Sequence, residues 1–200
     1  MEVFAYICTK NAIIMADKKF HIQRYVRTDE GLFVKDGDVR SLEDDFGHVR
    51  YKSMTGLNSR GKQKGVYAET YAEAGSARVW FAGSAKNEQT SSTLTVCVFG
   101  DDPESVSDKS ATELSVSASN GWNGMVDWME NAMLLWSDDY RRRKALFYLS
   151  EAITPTSDVI KGIPYLQCDI KLTNVFGRTF AMDDNTIEDW LSSGGKEAME

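Results

Sequence analysis

Apolar and polar residues alternate with a period of two in two clear stretches of this chain. FHIQRYV, from Phe20 to Val26, sets Phe20 and Ile22 against His21, Gln23 and Tyr25, the pattern of a half-buried strand. SSTLTVCVF, from Ser91 to Phe99, is short and rich in β-branched residues, which favours a strand over a helix. In YLQCDIKL the alternation is strict: Leu166, Cys168, Ile170 and Leu172 share one face, and Tyr165, Gln167, Asp169 and Lys171 the other. Val3–Thr9 and Asn11–Met15 read as short strands or one bent strand, and further strands are predicted at Val66–Tyr71, Ala77–Phe81 and Ala145–Leu149. The polar, basic stretch Gly56–Gly65 and the Gly75-Ser76 pair punctuate this series as a long loop and a turn. Residues Thr28–Asp38 read as a hairpin or an ordered surface arm, and Ser150–Gly162 as a long connection.

One stretch changes period. Trp122, Met125, Val126, Met129, Ala132, Met133 and Trp136 fall on one face of a helix, with Asn120 placed to cap its start and Asp138-Asp139 to close it. The stretch Glu104–Asn120 could contain a helical turn around Asp108–Leu114, but its serines compete with a helical backbone for hydrogen bonds, and the better-supported helix is the one that follows. Asn185–Leu191 predicts a short terminal helix. The fold class that follows is α+β, mainly β: a β-sandwich or partly closed β-barrel with one principal packed amphipathic helix. Residues 1–192 are expected to form a single domain whose first 48 residues are a β arm or hairpin. Residues 193–200 are expected to be a flexible tail.

Composition narrows the chemistry. The chain has 200 residues, a net charge of −7 and a pI near 5.0; a protein with this field would need its bases strongly segregated to hold nucleic acid. Cys8, Cys97 and Cys168 are an odd, widely spaced set among apolar neighbours, which predicts buried reduced thiols. No basic leader with a long apolar core opens the sequence, and no apolar run approaches the length of a bilayer span. Cytoplasmic synthesis is therefore expected, with no membrane partner.

The candidate chemical motifs mostly fail on inspection. GLNSRGKQ, from Gly56 to Gln63, has the glycine spacing of a phosphate loop, but Gln63 lacks the hydroxyl that such loops offer to magnesium, and no amphipathic helix follows. His21 and His48 are the available imidazoles, and neither sits in a zinc or calcium ligand pattern. The carboxylates Asp127, Glu130, Asp138 and Asp139 read as solvent-face and terminal residues rather than an acid/base pair. No catalytic, cofactor or metal residues are assigned, and no small-molecule substrate is expected. What remains are two basic islands, Arg60, Lys62 and Lys64 in the glycine-rich loop and Arg141, Arg142 and Arg143 in DDYRRRKALFYL, together with the aromatic residues Tyr67, Tyr71 and Trp80. These are the candidate contact residues. As a nucleic-acid module, the chain would use Arg141–Lys144 and the Arg60–Lys64 loop.

The order GLNSRGKQKGVYAETYAEAGSARVWFAG, SSTLTVCVFG, the helical segment, YRRRKALFYL and GIPYLQCDIKLTNVFGRTF resembles phage-tail structural proteins of the tail-tube or distal-tail class, over Val49–Phe180. The resemblance implies strands that build an oligomeric ring and an Arg60–Lys64 loop that meets a neighbouring subunit or ring. It implies a DDYRRRKALFYL turn beside the packed helix. Homo-oligomerisation, other tail or injection-machine proteins as partners, a place in the virion or injection particle, and no enzyme activity follow as expectations. The segment Met1–Asp45 lies outside the match.

Overall fold

The computed structural model describes residues 20–195 except 57–58, 72–75, 107 and 140, and defines residues 64–71 and 76–86 by their backbone alone. The strands Val3–Thr9 and Asn11–Met15, Cys8 and the 196–200 end of the tail lie outside the described residues.

Twelve strands and three helices are described: β1 (Phe20–Arg27), β2 (Phe33–Lys35), β3 (Arg40–Ser41), α1 (Leu42–Asp45), β4 (Val49–Thr55), β5 (Gln63–Tyr71), β6 (Ser76–Asn87), β7 (Thr90–Val98), α2 (Ala111–Met129), β8 (Met133–Asp138), β9 (Arg143–Ala152), β10 (Thr156–Ile160), β11 (Ile163–Asn174), β12 (Phe180–Ala181) and α3 (Thr186–Ser192). Ten strands form one sheet in the order β2-β1-β8-β9-β11-β7-β4, with β3 on β1, β12 on β9 and β10 on β11. All its pairings are antiparallel. β5 and β6 pair separately with each other.

Alternation along the strands supplies a core on each face of this sheet. On β8, Leu134 and Trp136 enter the larger core, where Trp122, Met125 and Met129 of α2 pack over Leu94, Val96, Val98, Cys168, Ile170 and Leu172. Leu135, between them in sequence, enters a second core with Tyr25, Leu146, Phe180, Ile187 and Leu191. The period-two register thus makes one strand serve two cores. Burying each of these large side chains contributes about 1.5–3 kcal/mol. β11 keeps the alternation read from its sequence, with Leu166, Cys168, Ile170 and Leu172 all buried.

The barrel expectation is corrected, because the sheet is open. Its terminal strands share no ladder. Instead α1 carries the chain from β3 to β4, and the rings of Phe20 and Tyr51 meet at 5.4 Å across the interior. What stands is a mainly β fold with one long packed helix.

The helix itself is displaced from its expected span. It begins at Ala111, where Ser110 and Glu113 form a reciprocal capping box: the Glu113 N–H donates to Ser110 Oγ at 3.3 Å and the Ser110 N–H to Glu113 Oε2 at 2.8 Å. Ser115 and Ser119 are absorbed without breaking the helix, donating to Ala111 O and Ser115 O. The buried stripe therefore runs Leu114, Ala118, Trp122, Met125, Met129. Glu130 turns extended and Asn131 takes a φ of 54°, which ends the helix. Asn120 is thus a mid-helix residue rather than a cap. Met133 and Trp136 belong to β8, where Trp136 shares the helix's core from a strand. The Ser150–Gly162 connection holds the end of β9 and all of β10, which pairs with β11 through a turn at Lys161-Gly162, both with positive φ.

Candidate interface: the hairpin arm and the basic turn

β4 and β7 are hydrogen-bonded neighbours in the main sheet, from Val49 opposite Val98 to Thr55 opposite Thr93. A short turn could join them. The chain instead inserts residues 56–89 between them, and this insertion holds the separate β5–β6 hairpin. Its register places Tyr67 opposite Trp80, Glu69 opposite Arg78 and Tyr71 opposite Ser76, with a bulge between Lys64 and Val66. Of the expected contact residues, Lys64, Tyr67, Tyr71 and Trp80 are thus located by backbone register, with Tyr67, Tyr71 and Trp80 sharing one face of the ribbon.

The base of the hairpin is held by close backbone contact. The Gly61 N–H donates to Gly177 O and the Glu88 N–H to Lys62 O, each at 2.8 Å. A Cβ on Gly61 or on Gly177 would stand 1.8 Å from the Glu88 carbonyl oxygen, so both positions need a residue without a side chain. Arg60 and Lys62 flank this junction and are exposed.

DDYRRRKALFYL is a β-hairpin rather than the exit of a helix. Asp138 ends β8 opposite Arg143, which begins β9, and Asp139, Arg141 and Arg142 lie in the turn between them. Asp138 is 8% exposed and accepts from the Arg141 N–H at 3.0 Å; Arg141 Nε lies 3.9 Å from its other oxygen. Asp139 meets His21 Nε2 at 3.3 Å. Arg141, Arg142 and Arg143 are exposed, and Arg142 has a φ of 52°, a left-handed conformation that strains an L residue by about 1 kcal/mol. Lys144 departs from the basic run. It is 5% exposed and its Nζ meets Glu188 Oε1 at 2.6 Å, pinning α3 to β9. That removes Lys144 from the set a nucleic acid could use.

The two basic islands, widely separated in sequence, converge on one segment. Gly177 bonds to Gly61, and Phe180 pairs with Lys144; an extended stretch from Gly177 to Phe180 spans at most about 11 Å. Arg178, which sequence reading passed over, lies between, its guanidinium 4.5 Å from the centre of the Phe180 ring. Acids are interleaved: Asp138, Asp139, Glu88, Asp183 and Asp184 occupy the same end. Arg178 and Lys144 add to the Thr186 hydrogen bonds that hold the Asp184 carboxyl below its usual range. A recess lined by Phe20, Trp136, Asp138, Arg143, Lys144, Ala145 and Thr179 has a volume of about 10 Å³, room for about one water and none for an organic substrate.

Among the described residues, no group of three or more His, Cys, Asp or Glu is placed to hold a metal, and no helix is long and apolar enough to cross a membrane. Cys97 and Cys168 are buried and form no disulfide; burial first, then neighbouring negative charge, pushes the Cys168 thiol up to about 12.

No protein-family model and no curated protein matches the chain. Among solved structures, a chain of the phage P2 baseplate in its activated conformation is similar, once with calcium and once with strontium. In each, 78% of this chain overlaps 44% of that one at 13% identity and a TM-score of 0.44. The matched part is under half the length of the baseplate chain, and a likeness of this size assigns no role.

Proposed function

We propose that the protein is a non-enzymatic structural or assembly component of a phage tail or related injection machine, acting as a single domain that joins copies into rings through the β5–β6 hairpin. One observation carries the reading: residues 56–89 are inserted between two strands that already pair, and the strands described in the insertion pair with each other rather than with the main sheet. A two-stranded hairpin is marginal by itself in water, so an arm of this kind earns its place by being covered. Insertions of this size on a rigid scaffold are where binding concentrates. The sequence resemblance over Val49–Phe180 points the same way. The partners are then further copies of this chain and other tail proteins, and the contact set is Arg60, Lys62, Lys64, Tyr67, Tyr71, Trp80 and the Arg141–Arg143 turn. Nucleic acid is disfavoured as the partner by the net charge of −7, the burial of Lys144 and the acids interleaved with the arginines.

The test is excision. Residues 63–87 are replaced by a short turn, and both proteins are compared, after nuclease treatment, by native mass spectrometry and particle imaging. The reading expects ordered oligomers from the full chain and folded monomers from the excised one. Oligomers of unchanged size after excision, or nucleic acid retained by the full chain, would overturn it.

A further inference from the structure

The first described residue marks where the preceding chain enters the fold. Phe20 opens β1, and its ring lies 5.4 Å from that of Tyr51, within β4. The N-terminal run therefore joins the body beside the strand that ends the main sheet. Among the described residues β4 pairs with β7 alone, and the other side of such a strand presents backbone N–H and C=O groups able to take up another strand. Between Ser41 and Val49 α1 stands beside β4, with Leu42 and Phe46 entering the core next to Val49. Beyond Tyr51 no described strand takes that place. There Lys52, Ser53 and Thr55 are exposed, and Tyr51 and Met54 stay half-buried although both pack against the core. Apolar surface at a sheet edge is what proteins ordinarily cover, because it invites pairing between molecules.

Independently of the role proposed above, we infer that the chain's own residues 3–15 fold back over this edge and cover β4 from Tyr51 to Thr55. The run ends where the edge lies, since residues 16–19, ADKK, are a polar link that spans at most about 18 Å between Met15 and Phe20. Its composition suits the surface: VFAYICT and NAIIM supply apolar and β-branched side chains to set against Tyr51 and Met54. Attachment at Phe20 holds the run at an effective concentration on the order of mM, so it outcompetes a second copy or another protein for the same edge. α1 keeps its place between β3 and β4, so the cover adds to the edge and leaves the main sheet open.

A photo-crosslinker tests this in the full chain. Benzoylphenylalanine is placed at Ser53, an exposed position, and an equimolar mixture of unlabelled and nitrogen-15-labelled protein is irradiated and digested for mass spectrometry. The expected product joins residue 53 to a peptide from residues 3–15 that carries the same isotope. Mixed-isotope products, which report a second copy on the edge, would overturn the inference, as would products that leave out residues 3–15 or no product at all. Hydrogen exchange gives a second readout without a label at the edge. I13D/I14D should speed exchange of amides 51–55 about tenfold or more, while β11 exchanges as in wild type and shows that the fold is intact. Equal exchange at 51–55 in both proteins would also overturn it. Neither readout depends on oligomers forming, so this contact can fail while the structural role stands, and the reverse.

Discussion

Alanine at Gly177 perturbs the junction that fixes the hairpin arm to the body, and its effect can be worked out in parts. Gly177 has a φ of 58°, so alanine adds about 1 kcal/mol of left-handed strain. Its Cβ would also sit 1.8 Å from Glu88 O and 2.8 Å from Glu88 C, and because both are backbone atoms the chain itself must move. That movement breaks Gly61 N–H to Gly177 O and Glu88 N–H to Lys62 O, at about 1 kcal/mol each. The total is about 3 kcal/mol, or about 6–12 °C in Tm for a chain of this length. Two controls separate the terms. Gly162 has a φ of 84° with nothing within 4 Å of the added Cβ, so Gly162→Ala reports strain alone, about 1 kcal/mol. Gly61→Ala keeps an unstrained φ but meets Glu88 O at 1.8 Å, so it reports the clash, about 2 kcal/mol from the same two hydrogen bonds. Thermal melting with hydrogen exchange at residues 61–62 and 87–88 gives both readouts. Equal Tm losses for Gly177→Ala and Gly162→Ala, with no faster exchange at the junction, would refute the reasoning.

Three further outcomes follow from single residues. Arg142→Gly relieves the left-handed strain in the β8–β9 turn and should raise Tm by about 2–4 °C, from about 1 kcal/mol. Ser110→Ala removes half of the capping box that starts α2 and should lower stability by about 1 kcal/mol, seen in urea unfolding as a lower midpoint at constant slope. Cys168 should resist alkylation in the folded protein at pH 8–9 and react on unfolding, since its thiol is held up to about 12 from an ordinary 9.0. Because the folded pKa is the higher one, the thiol contributes stability in full below pH 9. That contribution is lost as pH rises towards about 12, while the unfolded chain ionises first; rapid native labelling of Cys168 at pH 8 would contradict its burial.

Period-two alternation made β1 and β11 legible, most strictly on β11, where every second residue is buried and a register slip would turn that face to water; β7 and β9 were legible by β propensity instead. The helix start was hidden by the general rule that serines oppose helices. At Ser110 the same hydrogen-bonding capacity begins the helix, in partnership with Glu113 three residues on, a signal present in the sequence as S-x-x-E. Its end was hidden because Met133 and Trp136 fit the helical stripe and also the alternation of a strand, and the core accepts them from either element. The basic turn was legible as a charge anomaly. Its division was not, since only the pairing of Phe180 with Lys144 and the approach of α3 carry that lysine inward while its three neighbours stay in water. The junction at Gly61, Glu88 and Gly177 joins three distant segments by backbone atoms, and no side-chain pattern announces it.

Hydrogen exchange followed by mass spectrometry, on the full chain diluted and then concentrated into its assembled form, tests the central claim most directly. Amides of β5 and β6 are expected to exchange fast in the monomer and gain protection on assembly, while β7 and β11, already inside the sheet, change little. Assembly that protects other surfaces and leaves β5 and β6 exchanging as before would contradict it.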